Sequence, residues 1–241
     1  MRISPRVLVT RAAEDAAALS HALHEAGLEP VVVPALERLF CIDEMVALAD
    51  RAGHADLLVV TSPAVADVLG LATPDSWRKC DVAAVGQATR RRLEDLGWPV
   101  HYIPERATGE DLVALLDDIG GLRVAWPRAD LADPATADRL RSRGAEVFEC
   151  IAYRNVEPAG LSERLANALP VDCTTLMSGS AARRVADQVP VDERWRLGRV
   201  AVIGPSTKKV CEQVGLTVHA TASPHSVAGL VQAVAGLFPD T

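Results

Sequence analysis

Four short segments put hydroxyl and glycine residues where an apolar run gives way to a helical pattern. They are Thr61-Ser62, Gly86-Gln87-Ala88-Thr89, Ser178-Gly179-Ser180 and Gly204-Pro205-Ser206-Thr207. The first turn of a helix carries backbone N–H groups without intrahelical partners, together with the positive end of the helix dipole. Such a turn suits a carboxylate or a phosphate. Ser and Thr at the same place also serve as plain N-caps, which needs no ligand. One turn alone favours the cap, whereas four turns in two matched pairs favour an anion site. Arg11 and Arg128 close two further apolar runs at equivalent places. They either add cationic contacts to that site or pair with a nearby carboxylate.

Other chemistries find less support. Gly204-Pro-Ser-Thr-Lys-Lys209 lacks the first Gly and the Gly-Lys-Ser/Thr ending of a phosphate-binding loop. No GxGxxG follows a strand pattern and no GxSxG elbow occurs. His21 and His24 share a helix face with no further ligand nearby in sequence, so neither metal nor cofactor is expected. The five cysteines (Cys41, Cys80, Cys150, Cys173, Cys211) are scattered and form no CxxC pair. They read as buried, reduced thiols of a cytoplasmic protein. Arg90-Arg91-Arg92, followed closely by Glu94 and Asp95, reads as a solvated helix face.

The elements that must position these residues alternate along the whole chain. Short Val-, Ile- and Leu-rich runs fall at 7–10, 30–33, 57–61, 82–85, 100–103, 124–126, 147–151, 174–177, 200–203 and 217–220. Each has the length of a strand buried on both faces. Between them lie helical patterns at 12–26, 64–71, 88–96, 110–119, 134–143, 181–189, 207–214 and 227–237, several stopped by Gly27, Gly97, Gly144 or Gly215. This alternation predicts βαβ units and parallel sheets with helices on both faces.

A repeat runs through the alternation. Arg6-Val-Leu-Val-Thr-Arg11 matches Arg123-Val-Ala-Trp-Pro-Arg128 at an offset of 117, and Gly27–Val31 matches Gly144–Phe148 at the same offset. Asp56–Ser62 matches Asp172–Ser178 at 116; Ala84–Thr89 matches Val202–Thr207 at 118, as Gly97–Val100 matches Gly215–Val218. The 241 residues therefore hold two copies of one α/β unit.

Composition narrows the partners. Hydrophobic residues make up 49% and charged residues 24%, enough to build a core and too apolar for a disordered chain. The net charge of -7 disfavours a surface that coats nucleic acid or an anionic membrane. No apolar run approaches the ~20 residues that span a bilayer, and residues 1–6 do not read as a signal peptide.

These motifs, in this order and spacing, resemble the uroporphyrinogen-III synthase family. The segments that carry the resemblance are Val7–Arg11 with its Ala-rich helix, Val60-Thr-Ser62, Val82–Thr89, Ile151-Ala-Tyr-Arg-Asn155 and Val202–Thr207, within a match from about residue 6 to 234. The resemblance implies two similar Rossmann/flavodoxin-like parallel-sheet domains joined by a two-stranded linker. Domain one would be discontinuous (1–35 and 158–241), domain two would span 41–148, and the linker strands 36–40 and 149–157. It implies a lyase that cyclises the linear tetrapyrrole hydroxymethylbilane to uroporphyrinogen III with inversion of ring D and release of water. No metal or cofactor is implied. Loss of the ring A hydroxyl leaves an azafulvene cation, which ring D attacks through its substituted carbon to give a spiro intermediate that fragments and recloses. Closure without inversion competes, so the enzyme's main task is to hold a flexible chain in one shape, in a water-poor cleft between the domains.

By the same resemblance Tyr153 matches a recurrent tyrosine that assists the departing hydroxyl; the bland alternative is a packing residue. Thr89, Ser206 and Thr207 match hydroxyl-bearing turns, and Ser62 and Ser178 match strand-end serines. Thr61, Gly86, Ser180 and Gly204 complete the expected substrate-binding set with Arg11 and Arg128. Met177 and Ala64 depart from the family pattern at side chains, which leaves backbone N–H groups untouched. The partner is then a small polycarboxylate, received by a monomer from the upstream enzyme that makes it. A non-catalytic two-lobed homologue that binds an anionic metabolite is the competing reading. Residues 40–148 carry a net charge of -6 and the remainder -1, so the carboxylates must be held mainly by backbone N–H groups.

Overall fold

The computed structural model describes residues 4–239; residues 1–3 and 240–241 of the expected first domain lie outside that range. The chain runs β1 (Arg6–Val9), α1 (Ala13–Glu25), β2 (Glu29–Val32), β3 (Glu37–Phe40), α2 (Ile42–Ala52), β4 (Leu57–Val60), α3 (Pro63–Leu71), β5 (Asp81–Ala84), α4 (Gln87–Asp95) and α5 (Gly109–Leu115). It continues β6 (Arg123–Ala129), α6 (Ala135–Ser142), β7 (Glu146–Val156), α7 (Leu161–Ala168), β8 (Cys173–Leu176), α8 (Gly179–Gln188), β9 (Arg199–Val202), α9 (Pro205–Gln213), β10 (Ala220–Thr221) and α10 (Val227–Ala235). Short 3₁₀ turns, Asp75–Lys79 and Val191–Leu197, precede β5 and β9.

Two compact units result: Met1–Glu37 with Val156–Thr241, and Arg38–Asn155. The first holds a sheet of order β10-β9-β8-β1-β2; the second holds β3-β7-β6-β4-β5. The strands of the first sheet pair in parallel, as do β4, β5, β6 and β7 in the second. Residues 37–40 and 149–156 are hydrogen-bonded members of the second sheet, where β3 lies beside β7.

The repeat maps onto this topology with a twist of connectivity. β1, β2, β8 and β9 correspond to β6, β7, β4 and β5, in the same spatial order. Each sequence copy therefore supplies its first βαβ to one unit and its remainder to the other. Matched polar contacts follow. Arg6 N–H donates to Asp172 Oδ2 at 2.7 Å and Arg123 N–H to Asp56 Oδ2 at 2.8 Å. The Arg6 guanidinium binds the Ala168 carbonyl that ends α7 and the Pro170 carbonyl just beyond it; Arg123 binds the Ala52 carbonyl that ends α2. Both satisfy helix C-terminal carbonyls that have no partner within the helix.

Alternation along the strands builds a core on each face of each sheet. In the second unit Leu58 and Val60 pack with α2, α3 and α4, while Leu57 and Val59 pack with α5 and α6. In the first unit Leu8 and Leu176 join α7, α8 and α9, while Val7, Val9 and Cys173 join α1 and α10. Burial on both faces explains the unbroken apolar runs of these strands.

Local departures have local causes. The helical pattern expected to reach residue 119 stops at Leu115. Asp117 and Asp118 follow, and carboxylates there oppose the negative end of a helix dipole. The strand expected at 100–103 is a single bridge from Ala83 to Tyr102, between Pro99 and Pro104, which donate no N–H. His101 Nδ1 instead accepts the Val82 N–H at 3.0 Å, and His219 Nδ1 accepts the Val200 N–H at 3.0 Å in the other unit. Helices α2 and α7, absent from the periodic patterns, bury Met45, Leu48 and Ala52, and Leu161, Leu165 and Ala168.

Candidate active site

Parallel pairing brings the carboxyl ends of the strands to one edge in each unit, where ligands of open α/β sheets bind. In the second unit this edge gathers Thr61 and Ser62 after β4, Gly86 after β5, Arg128 near the end of β6 and Tyr153 in β7. In the first it gathers Arg11 after β1, Ser178 and Ser180 after β8, and Gly204, Ser206 and Thr207 after β9.

The four turns divide into two kinds. Ser62 Oγ accepts the Val65 N–H at 3.4 Å, and Ser178 Oγ accepts the Ala181 N–H at 3.1 Å, so both cap their helices. Gly86 and Gly204 open α4 and α9 with no side-chain cap. None of α3, α4, α8 and α9 has an acidic residue in its first turn, whereas α1, α5 and α6 do. The positive ends of the four matched helices are therefore not neutralised from within. Thr89 and Thr207 are buried, at 4% and 3% exposure, while Ser206 is exposed.

Both expected arginines are engaged with carboxylates of their own unit. Arg11 lies 3.3 Å from Asp15. Arg128 Nε donates to Glu149 Oε2 at 2.9 Å, its guanidinium stands over the Trp126 ring at 5.6 Å, and Arg141 donates to the other Glu149 oxygen at 2.8 Å. Burial pushes the Glu149 carboxyl up, but hydrogen bonds from Arg141 and Arg128 outweigh it and hold its pKa below the ordinary 4.5. A carboxyl with a lowered folded-state pKa stabilises the fold fully above its unfolded value and loses that contribution as pH falls through the folded value. Urea unfolding followed from pH 7 downward should show stability lost below about pH 4.5. Glu149→Gln should flatten that part of the profile, and an unchanged acid limb would count against the Glu149 assignment.

The residue with the most telling surroundings is Tyr153. It is 7% exposed, and its hydroxyl lies 3.2 Å from Ser62 Oγ. Both line a cavity of about 320 Å³ within the second unit, together with Thr61, Trp126, Asp133 and Thr136. Trp126, Asp133 and Thr136 were not expected as site residues. Asp133-Pro134 ahead of a helical pattern is only a helix-start signal, and Trp126 reads as one more apolar strand residue.

Burial disfavours the thiolate form of each cysteine. Burial raises Cys80 and Cys211 to about 11 and Cys150 and Cys173 to about 12. Burial, then the Glu44 charge, raises Cys41. Cys80, Cys173 and Cys211 are buried, whereas Cys41 and Cys150 are half-buried, so the expected burial holds for three of five. Among the described residues no cluster of His, Cys, Asp and Glu could hold a metal, and no helix is long and apolar enough to cross a membrane.

A family model described as uroporphyrinogen-III synthase HemD matches residues 17–232. The chain belongs to the uroporphyrinogen-III synthase family. Members of that family are lyases that cyclise hydroxymethylbilane. A uroporphyrinogen-III synthase of Synechococcus elongatus is 28% identical over 254 residues, spanning 96% of this chain and 95% of the relative. Among solved structures, a mutant uroporphyrinogen III synthase of Thermus thermophilus superposes with a TM-score of 0.64 at 19% identity, covering 99% of this chain and all of the other. Uroporphyrinogen-III synthetase of Helicobacter pylori gives 0.66 at 15% identity, covering 98% and 100%. These two likenesses establish the shared α/β fold with two parallel-dominated sheets.

Proposed function

We propose that this chain itself converts hydroxymethylbilane to uroporphyrinogen III and water with inversion of ring D, chiefly by fixing the substrate's conformation. Membership of the family over residues 17–232 carries the reading. Within each unit the matched helix N-termini, α3 and α4 in the second and α8 and α9 in the first, are suited to hold a substrate carboxylate. Their first turns carry no acidic residue, which supports this assignment. Such binding needs few formal cations, so a net charge of -7 does not oppose it. Arg11 and Arg128 serve as supports of the edge through Asp15 and Glu149.

Tyr153 donates its hydroxyl hydrogen toward the departing oxygen, oriented by Ser62. Fixing a flexible chain in its reactive shape accounts for most of the acceleration, since well-oriented reactants gain effective molarities of roughly 10⁵ M or more. The protein works as a cytoplasmic monomer that receives its substrate from the upstream enzyme. The test is product analysis. Fresh hydroxymethylbilane is incubated with the protein, the products are oxidised, and type I and type III isomers are resolved. Type III formation above the spontaneous rate is expected. Type I alone at the spontaneous rate would reduce the chain to a non-catalytic binder.

A further inference from the structure

Strand β7 does not run straight to Tyr153. It pairs with β6 in step from Glu146 opposite Arg123 to Ile151 opposite Arg128, but the next residue of β6, Ala129, lies opposite Tyr153. Ala152 is therefore an extra residue, a β-bulge in the strand that carries the tyrosine. Side chains of an unbroken strand alternate between the faces of a sheet. Val147 packs toward α5 and α6, and Phe148 and Cys150 pack toward the opposite core. Ala152 keeps to that core, and Tyr153 joins it instead of crossing to the α5–α6 face. The shared core contains α3, whose first turn Ser62 caps. Unbroken alternation past Ala152 would turn the tyrosine away from α3 and from Ser62.

Polar contacts hold the bulge from both neighbouring strands. On the β3 side the Ala152 carbonyl accepts the Cys41 N–H at 2.9 Å. On the β6 side Asp130 N–H donates to the Tyr153 carbonyl at 3.1 Å. Asp130 Oδ1 accepts the Asn155 N–H and the Asn155 side-chain amide, each at 3.4 Å. The same oxygen accepts the Leu131 N–H at 3.0 Å, which closes the turn after β6. The turn needs only that local bond. Those that cross to Asn155 tie β7 down on the far side of the tyrosine.

Resting on the reading of Tyr153 as the proton donor, we propose that the bulge at Ala152 aims the tyrosine, and that Asp130 is a positioning residue that acts on the reaction through it. The hydrogen bond to Ser62 fixes the tip of the phenol at 3.2 Å, while the clamp fixes the backbone from which the ring projects. Both matter, because a donor must stand within hydrogen-bond reach of the oxygen it serves, and a misplacement of about 1 Å can cost on the order of a hundredfold in rate. A carboxylate suits the post, since hydrogen bonds to an ionised acceptor are roughly twice as strong as neutral ones. Asp130 itself gives and takes no proton in the step; it sets where the Tyr153 hydroxyl stands.

Asp130→Ala removes the acceptor and should lower kcat for type III product about threefold to tenfold, the scale of one or two lost hydrogen bonds. KM should stay level, because no substrate contact is removed. Asp130→Asn keeps an oxygen acceptor in place and should recover most of kcat. In a Tyr153→Phe background Asp130→Ala should slow the reaction no further, since the group it aims is gone. Unchanged kcat in Asp130→Ala would overturn the proposal. So would an equal fold-loss with and without the Tyr153 hydroxyl, which is what a general loss of stability produces.

The aim of the ring can also be read without turnover. The chain has two tyrosines, Tyr102 and Tyr153, so protein made with isotope-labelled tyrosine gives two sets of ring signals by NMR, which Tyr153→Phe assigns. Asp130→Ala should shift the Tyr153 signals and leave those of Tyr102 in place. Asn155→Ala spares the carboxylate and its bond to the strand N–H. It should shift the Tyr153 signals by less, and it serves if Asp130→Ala does not fold. Tyr153 signals that stand still in every folded variant would overturn the proposal. Signals that shift in a protein making no type III product would instead refute the functional reading and leave the clamp on Tyr153 standing.

Discussion

Tyr153→Phe is expected to slow type III formation roughly tenfold to hundredfold, the range of one positioned proton donor. The phenol lies 3.2 Å from Ser62 Oγ and is almost buried, so its orientation is set before substrate arrives. Ser62 is in turn fixed by the Val65 N–H at the start of α3. Phenylalanine keeps the ring and its packing with the core beneath. The lost hydrogen bond costs about 1 kcal/mol of stability, so folding should survive. Because closure without inversion needs no enzyme, the type I fraction should rise as the catalysed path slows. Ser62→Ala should act through Tyr153, with a smaller loss that is not additive with Tyr153→Phe. Unchanged turnover in Tyr153→Phe would leave the tyrosine a packing residue.

The second large effect is on folding. Gly198→Ala should destabilise the protein by at least about 3 kcal/mol. Gly198 has φ +60 and ψ -143 at the turn between the 3₁₀ segment Val191–Leu197 and β9. A Cβ there would stand 2.3 Å from the Asp172 carbonyl oxygen and 2.5 Å from that of Val171. These are backbone atoms, so no rotamer change relieves the clash. The same carbonyl of Asp172 accepts the Arg199 N–H at 2.9 Å, so moving it disturbs the β8–β9 pairing. The equivalent residue in the repeat, Cys80, has φ -77, and Cys80→Ala should cost only about 1 kcal/mol. Urea unfolding of the two variants would compare them directly, and equal losses would refute the backbone argument.

That pair marks where a repeat stops being informative. Trp77 and Trp195 also correspond, yet Trp77 is fully buried with its indole N–H on the Gly53 carbonyl, whereas Trp195 is 72% exposed. Equivalent sequence positions inherit the backbone path, while burial depends on what each copy packs against. Thr89 and Thr207 carry the hydroxyls that a sequence reading assigns to the site, but the helices turn them inward. Asp133 and Trp126 gave no signal, because a cavity wall is assembled from segments far apart in the chain.

The sequence by itself determined the local and periodic properties of this protein. Apolar runs of strand length made parallel sheets covered on both faces, and Gly27, Gly97, Gly144 and Gly215 stopped helices with φ between +77 and +88. Ser62 and Ser178 were legible as caps, and the ordered motifs carried the family. These features depend on neighbours within one or two turns of chain, which a linear pattern records. Tertiary structure alone decided that Tyr153 meets Ser62 and that Asp133 shares their cavity. It also decided that Arg128 is held by Glu149, and that histidine side chains finish both sheet edges. Those contacts arise from which strands pair and how helices lean on them, and strand pairing joins residues too distant in sequence for any local pattern to fix.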